Sequence, residues 1–200
     1  MKIVSINLLK ILNKYIKNAI PIFVLNFVKK LFIEKGKHSF IISPIEIIGA
    51  KRIHIGNNVH IGHNSKLCCY GGKVMIGSET FATSSLNLFC GEQVEIGNNV
   101  LIASFVLITD LTHGINPELA TNYQKQKITT KPVIIEDGCW IGDKASILPG
   151  THIGTKCVIG ANSVVKGKIP AYSLVVGNPG KIVKKWDFNK KKWVKVENEN

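Results

Sequence analysis

His113, in the segment TDLTHG at 109–114, has the residue type and the neighbours that acid–base chemistry needs. A neutral imidazole can take the proton of a hydroxyl group as that hydroxyl attacks an electrophile, which typically contributes about 10²–10⁴-fold to a rate. Asp110, three residues earlier, could orient or polarise the imidazole. A lone histidine in a loop is more often a solvated side chain, so the place of His113 in the fold must decide between these interpretations.

Lysines are the second group of residues that could bind a ligand, and they are concentrated at the two ends of the chain. The net charge is +13; residues 1–37 hold eight lysines against Glu34, and residues 181–200 hold seven against Asp187, Glu197 and Glu199. Such ends could meet an anionic membrane face, nucleic acid or the phosphates of a ligand, although solvated lysine faces are the ordinary interpretation. No recognition motif or aromatic-interleaved basic groove is visible, so we expect no nucleic-acid partner.

The cysteines and the first residues bear on the compartment. Five cysteines without a C-x-x-C pair argue against a disulfide framework and a zinc knuckle, and predict reduced, buried thiols. The opening carries lysines at 2, 10 and 14 and has no cleavage site, and its longest uncharged run, 18–28, is too short to span a bilayer. We expect a soluble, cytoplasmic protein whose basic amphipathic N-terminal helix could touch the inner membrane face.

A six-residue repeat decides the fold. From position 135 the chain divides into the blocks IEDGCW, IGDKAS, ILPGTH, IGTKCV, IGANSV and VKGKIP, and the same period begins at 55 and at 96. A helix has an apolar period of 3.6 and a half-buried strand a period of two, so neither fits. A solenoid fits, with one short strand and one turn for each block. The aliphatic residue points into the core, and Gly or Asn in the turn tolerates positive φ.

Breaks in the period predict the organisation of the chain. Residues 1–40 form an N-terminal amphipathic helical segment, 41–180 the solenoid, and 181–200 a basic tail that is a short helix or an extended segment. Residues 109–132 do not follow the six-residue period, which predicts a loop that extends out of the solenoid. Residues 68–75 and 82–93 are coils of imperfect phase.

The sequence at this point resembles the hexapeptide-repeat acyltransferases. Matching segments lie at 96–114, 133–165 and 169–186, and the likeness extends to the galactoside, maltose, nodulation-factor, O-antigen and capsule O-acetyltransferases. The resemblance implies a left-handed parallel β-helix and a homotrimer with active sites between subunits. It also implies direct acetyl transfer from acetyl-CoA, without a metal, to a saccharide acceptor, here a cell-surface polysaccharide or its precursor.

The resemblance also assigns catalytic roles. His113 matches the family's catalytic histidine, and Asp110 could orient it. Trp140 matches a tryptophan beside the acceptor and the thioester, although packing at a coil corner would explain it equally well. Asp143 matches the position whose backbone N–H faces the thioester carbonyl and stabilises the oxyanion.

Binding residues follow from the same match. Asp143 belongs to the coenzyme site as well, and the other coenzyme positions are Ala161, Lys166, Gly167, Lys181 and Lys184, with backbone groups on the pantetheine and lysines near the phosphates. Lysine keeps the charge of the family's arginines but not their bidentate fork. The acceptor is expected beside Cys69, Thr83, Ser84, Asn87 and Trp140.

Three other functions share this fold or its composition. N-acylation of an amino sugar needs a similar base, but its enzymes usually carry a nucleotide-binding domain for which residues 1–40 leave little room. A γ-class carbonic anhydrase needs a cluster of zinc-binding histidines, whereas only His113 lies in the loop region. A non-catalytic β-helix is the third alternative.

Overall fold

A computed structural model describes residues 33–43, 45–119 and 122–196. The amphipathic helix predicted near the start therefore lies outside the described residues, apart from the final part of the 1–40 segment. Within the described ranges, no helix is long and apolar enough to cross a membrane.

Short strands make up almost all of the regular structure. The first twelve are β1 (Glu34–Lys35), β2 (Phe40–Ile41), β3 (Ile45–Ile48), β4 (Ile53–Ile55), β5 (His60–Ile61), β6 (Ser65–Cys69), β7 (Lys73–Ile76), β8 (Phe81–Ala82), β9 (Asn87–Cys90), β10 (Gln93–Ile96), β11 (Leu101–Ile102) and β12 (Leu107–Thr109). The others are β13 (Leu111–Thr112), β14 (Thr129–Thr130), β15 (Val133–Ile135), β16 (Trp140–Ile141), β17 (Ser146–Ile147), β18 (His152–Ile153), β19 (Val158–Ile159), β20 (Val164–Val165), β21 (Lys168–Ile169), β22 (Ser173–Val176), β23 (Lys181–Asp187) and β24 (Lys192–Lys195). Two 3₁₀ turns lie at Ala50–Arg52 and Tyr123–Lys125.

The strands form a parallel β-solenoid, which confirms the fold predicted from the repeat. Sheet A runs β1-β4-β7-β10-β15-β18-β21, sheet B runs β2-β5-β8-β11-β16-β19-β22 and then β23-β24, and sheet C runs β3-β6-β9-β12-β17-β20. Each coil passes from sheet A to sheet B to sheet C, so the cross-section is a triangle with three corners. We call these the A–B, B–C and C–A corners.

Aliphatic side chains stacked in register hold the solenoid together. Ile102, Ile141 and Ile159 are consecutive inward residues of sheet B and are completely buried. Burying one such side chain stabilises a protein by about 1.5–3 kcal/mol, and the ladder repeats this gain in every coil. The small residues at the fifth position of the six-residue blocks, such as Ala145 and Ser163, are also completely buried.

The turns have the backbone conformation that their sequence predicts. Asn58 and Asn99 adopt φ values of 54° and 55°, in the left-handed region that Asn tolerates. The same turn is bonded to the next coil: the backbone N–H of Asn98 donates to Asp137 Oδ1 at 2.7 Å. Such side-chain bonds between coils fix the stacking at the A–B corner.

Both ends of the predicted solenoid need correction. Residues 34–41 are not helical: β1 and β2 pair in parallel with β4 and β5, so the first coil begins before position 41. Their alternation is too short for a periodic signal, which is why the sequence did not reveal them. The basic tail, expected as a helix or an extended segment, is an antiparallel hairpin of β23 and β24 added to sheet B.

The ejected loop leaves the solenoid after Thr109 and returns at Val133, as its sequence predicts. Its base is an antiparallel pair of β13 and β14. Further out, the side chain of Gln126 bridges the loop: Oε1 accepts the Asn116 N–H at 3.0 Å, and Nε2 donates to the Asn116 carbonyl at 2.8 Å. Gln126 is buried, so this bridge between the two arms of the loop is shielded from water.

Candidate functional site

Two corners of the solenoid carry the residues singled out from the sequence. The C–A corner holds His113, Lys166 and Gly167, because each follows a strand of sheet C. The B–C corner holds Thr83, Ser84, Asp143 and Ala161, which follow strands of sheet B. Trp140, Lys181 and Lys184 lie on sheet B itself. One chain therefore separates the predicted residues into two groups on opposite sides of sheet C.

His113 is exposed at the outer end of the loop's hairpin base. Its backbone is held on both sides, since Thr112 pairs with Thr129 and the Gly114 N–H donates to the Lys127 carbonyl at 3.0 Å. Within the described residues the imidazole makes no hydrogen bond. The ring is thus carried on a fixed backbone with both nitrogens open to a substrate, which is the arrangement that a general base requires.

Asp110 anchors the loop rather than the histidine ring. Its carboxylate is completely buried and accepts three backbone N–H groups of the preceding coil, from Gly91 at 2.7 Å, Glu92 at 2.8 Å and Gln93 at 2.6 Å. The Asp110 carbonyl also accepts the Lys131 N–H at 2.7 Å, which closes the neck of the loop. This corrects the expectation that Asp110 orients the imidazole directly, because its oxygens already have these partners.

A column of polar side chains joins three coils at the B–C corner. Thr83 Oγ1 lies 2.8 Å and Ser84 Oγ 3.1 Å from the hydroxyl of Ser104. The Ser104 backbone N–H in turn donates to Asp143 Oδ1 at 2.9 Å. The structure therefore brings Thr83 and Ser84, two residues predicted to contact the sugar acceptor, next to Asp143, the predicted oxyanion position. The Asp143 carboxylate itself bonds the neighbouring coil and so holds its turn in place.

The Asp143 backbone N–H is free to bind a substrate. Its carbonyl accepts the Asn162 N–H at 2.8 Å, but its own N–H has no acceptor within the described part of the chain. Gly142 lets the next coil approach, since a Cβ there would come within 2.7 Å of the Ala161 nitrogen. Ala161 is exposed directly above Asp143 and leaves room along the corner.

Trp140 lies at the edge of this corner and is 51% exposed. In sheet B it is paired between Leu101 and Val158, and all three side chains point outward. A packing role inside one chain would bury the indole, so its exposure favours contact with a ligand or with another copy of the chain.

At the C–A corner, Lys166 lines a cleft of about 410 Å³ beneath the base of the loop. The rest of the cleft is formed by Thr109, Leu111, Thr112, Thr129, Thr130, Lys131, Leu148 and Pro149. Gly167 has φ of +87° and no atom within 4 Å of a Cβ built on it, so its backbone is open to a ligand. Only glycine adopts such a φ without strain.

Lys181 and Lys184 lie on β23, which extends sheet B beyond the last coil. Lys181 is opposite Val176, near the B–C corner, and Lys184 is opposite Leu174. Within the described residues neither ammonium has a carboxylate within 4.0 Å. Both are therefore available to an anion.

Two predicted acceptor residues differ in their accessibility. Cys69 is completely buried in the core, so its side chain cannot line an acceptor pocket, and that expectation is corrected. Burial also raises the pKa of its thiol, which keeps it neutral. Asn87 is half-buried on sheet C and its Nδ2 donates to the Ser85 carbonyl at 3.0 Å, close to the B–C corner.

A larger groove, of about 840 Å³, contains none of the predicted residues. It runs along sheet A and is flanked by Glu34, Glu95, Glu136 and Asp137, whose negative charge does not suit a phosphorylated ligand. In residues 33–43, 45–119 and 122–196, no three metal-ligating side chains converge.

Ser104 is a residue of the candidate site that the sequence analysis did not single out. It connects Thr83 and Ser84 to the Asp143 turn, yet its block, IASFVL at 102–107, lacks the Gly of its neighbours. Stacking the blocks by their aliphatic position would have placed Ser84, Ser104 and Asp143 in one column, which is the signal that was available.

Comparison with known proteins agrees with this architecture. Residues 132–167 match the family model of the bacterial transferase hexapeptide, six repeats. The chain is 35% identical over 160 residues to the WbbJ protein of Escherichia coli (strain K12), whose name is putative lipopolysaccharide biosynthesis O-acetyl transferase. This match covers 76% of the present chain and 82% of the WbbJ protein.

Two further relatives extend the comparison. The galactoside O-acetyltransferase of the same organism is 28% identical over 159 residues, and the match spans 80% of this chain and 66% of that enzyme. Among solved structures, AntD, an N-acyltransferase from Bacillus cereus in complex with dTDP and 3-hydroxybutyryl-CoA, superposes with a TM-score of 0.71 at 26% identity. That match covers 83% of this chain and 90% of AntD.

Proposed function

The chain belongs to the hexapeptide-repeat acetyltransferases, and on that basis we propose that it transfers an acetyl group from acetyl-CoA to a sugar hydroxyl. The observation that carries the proposal is the free Asp143 N–H beside the hydroxyl column of Thr83, Ser84 and Ser104. The same corner therefore offers a hydrogen-bond donor to an acyl carbonyl and hydroxyl groups to a polyhydroxylated acceptor.

The acetyl donor fits the B–C corner. In this proposal the Asp143 N–H donates to the thioester carbonyl oxygen, and a preorganised donor there stabilises the charge that develops during transfer. Exposed Ala161 leaves a path for the pantetheine arm along the next coil, and Lys181 and Lys184 lie further along the same direction. The cationic end of the path suits the phosphates of the coenzyme.

His113 acts as the general base in this proposal. It accepts the proton of the sugar hydroxyl as the hydroxyl oxygen attacks the acetyl carbonyl. The thioester C–S bond then breaks, and the leaving thiolate of coenzyme A takes the proton from the imidazolium to become the free thiol. Since His113 lies at the C–A corner, it must come from a different copy of the chain than the Asp143 of the same site. The separation of the two corners supports a homotrimer with active sites between neighbouring subunits, the assembly that the family resemblance implies.

In this assembly each active site takes a different set of residues from each of the two copies. One copy offers its loop with His113, and with it Lys166 and Gly167 at the adjoining cleft. The neighbour offers its B–C corner with Trp140, Asp143 and the hydroxyl column. The WbbJ resemblance favours a cell-surface polysaccharide, or a precursor of one, as the acceptor.

A second candidate function is N-acylation of a nucleotide-linked amino sugar. It is favoured by the fold match to AntD, one structure of which contains dTDP-4-amino-4,6-dideoxyglucose and coenzyme A. That match spans 88% of the AntD chain, which leaves little room there for a separate nucleotide-binding domain, so such an acceptor does not require one. The reaction would use the same base and the same donor site, with an amine as the nucleophile.

Thiol release from acetyl-CoA tests both proposals. The purified chain is assayed with neutral sugars, with oligosaccharides and with dTDP-amino sugars, and products are identified by mass and by base-labile ester or stable amide linkage. An ester product supports O-acetylation, and an amide product supports the second candidate. Absence of coenzyme binding would contradict both and favour a non-catalytic scaffold.

A further inference from the structure

The C-terminal hairpin places two lysines directly opposite each other. Lys184 of β23 is the cross-strand partner of Lys195 of β24, so both side chains leave the same face of the sheet. Within the described residues neither has a carboxylate within 4.0 Å. Like charges in this position repel and lower stability, so the pair is a cost to the fold unless an anion binds between them.

An aromatic pair fixes this register. Trp186 and Trp193 are also cross-strand partners, two positions away on the same face, and their rings meet edge to face with centroids 5.6 Å apart. Such a contact stabilises a pair of strands by about 0.5–1.5 kcal/mol beyond its buried area. The aromatic pair thus holds the two lysine positions opposite each other, so that both side chains can reach one anion.

The lysine pair continues one outward column of sheet B. From Trp140 the register passes to Val158, then to Leu174, then to Lys184 and finally to Lys195. Adjacent strands lie about 4.8 Å apart, so Lys195 is roughly 19 Å from Trp140 along the sheet. The thioester end of the proposed donor site and the paired lysines therefore lie at two ends of one continuous surface.

We propose that Lys195 and Lys184 together bind the 3′-phosphate of the coenzyme A nucleotide. This rests on the proposed function, because it assumes that acetyl-CoA occupies the B–C corner and extends toward the C-terminus. A phosphate monoester carries close to two negative charges at neutral pH, which matches two ammonium groups that repel each other in its absence. The hairpin thus recognises the one phosphate that distinguishes coenzyme A from its dephosphorylated form.

Calorimetric titration with coenzyme A and with dephospho-coenzyme A tests the assignment on the full chain. Lys195→Gln should weaken binding of coenzyme A by about three- to tenfold and leave the affinity for dephospho-coenzyme A unchanged. Its thermal midpoint should be unchanged or higher, because the substitution removes a repulsion. A purely structural role for Lys195 would instead lower the midpoint.

Lys192→Gln is the matched control, since Lys192 lies on the same strand but on the opposite face, with Asp187 as its partner. It makes the same change in net charge and should leave both affinities unchanged. Equal weakening by the two variants would overturn the assignment in favour of a general charge effect, as would equal affinity of the unmodified protein for the two ligands. Failure of the unmodified protein to bind either ligand would contradict the proposed function itself.

Discussion

His113 and Asp143 lie at two different corners of the same solenoid. His113 follows sheet C on the ejected loop, whereas Asp143 follows sheet B one coil later. The row of strands that forms sheet C lies between them, which is the reason for our proposal that each site combines the imidazole of one copy with the Asp143 N–H of another. The proposal has a direct experimental consequence.

Mixed oligomers should recover activity from two inactive variants. His113→Ala removes the base, and Ala161→Trp fills the donor path at the exposed B–C corner, so each variant alone should be inactive. In randomly mixed assemblies made by co-expression, about one site in four combines an intact His113 with an intact Ala161 from its neighbour. We expect about a quarter of normal activity, measured by thiol release.

The control is a mixture in which both substitutions are in the same chain, co-expressed with the unmodified chain. If sites formed within one chain, the two single variants would show no recovery at any mixing ratio. That result would contradict the intersubunit site.

Asp110→Asn should destabilise the protein and disturb the loop. The amide nitrogen that replaces one carboxylate oxygen would face one or two of the backbone N–H groups of residues 91–93, which would lose their acceptor. Loss of charge-assisted bonds in a buried site costs about 2–4 kcal/mol, which denaturant unfolding would measure. Glu118→Gln, in the exposed part of the loop, should change stability by less than about 0.5 kcal/mol. Equal effects of the two substitutions would argue against the anchor.

The pH dependence of stability should include a contribution from Glu136. Hydrogen bonds from the Thr155 side chain at 2.7 Å, and from His152, lower the pKa of this carboxyl below its usual 4.5. A lowered folded-state pKa contributes stability above the unfolded-state pKa, and the contribution is lost as the pH falls through the folded-state value. The side chain is 39% exposed, so we expect only about 0.5 kcal/mol.

Chemical unfolding of Glu136→Gln at two pH values checks this expectation. The variant should be less stable than the unmodified protein at pH 7, and the difference should shrink as the pH falls through the lowered pKa of Glu136 in the folded protein, because the carboxyl then becomes neutral like the amide. A difference that stays constant over this range would mean that packing, not ionisation, is responsible.

Periodicity was enough to predict the solenoid because each block buries one aliphatic residue and turns once. The register of Ile102, Ile141 and Ile159 follows from that rule alone. The first coil escaped prediction because β1 and β2 have two residues each, and the hairpin of β23 and β24 because its lysines are not periodic. Both depend on pairing with distant strands, which local sequence does not encode.

In the candidate site, the sequence indicates which residues lie in turns, where their backbone groups can be exposed. It does not indicate which side chains are buried. The free N–H of Asp143 follows from its place in a turn. The interior position of Cys69 and the backbone partners of Asp110 depend on how neighbouring coils stack, which spacing along the chain does not reveal. Lys195 was missed for the same reason, because its relation to Lys184 exists only in the folded hairpin.

The turnover of His113→Ala with an identified acceptor tests the central claim most directly. The side chain is exposed and unbonded within the described residues, so the variant should fold normally and bind acetyl-CoA as tightly as the unmodified protein. Its kcat should fall by about 10²–10⁴-fold, whereas His38→Ala, at an exposed turn of the A–B corner, should leave kcat unchanged. An unchanged kcat in His113→Ala, with coenzyme affinity intact, would contradict the account and remove His113 as the base.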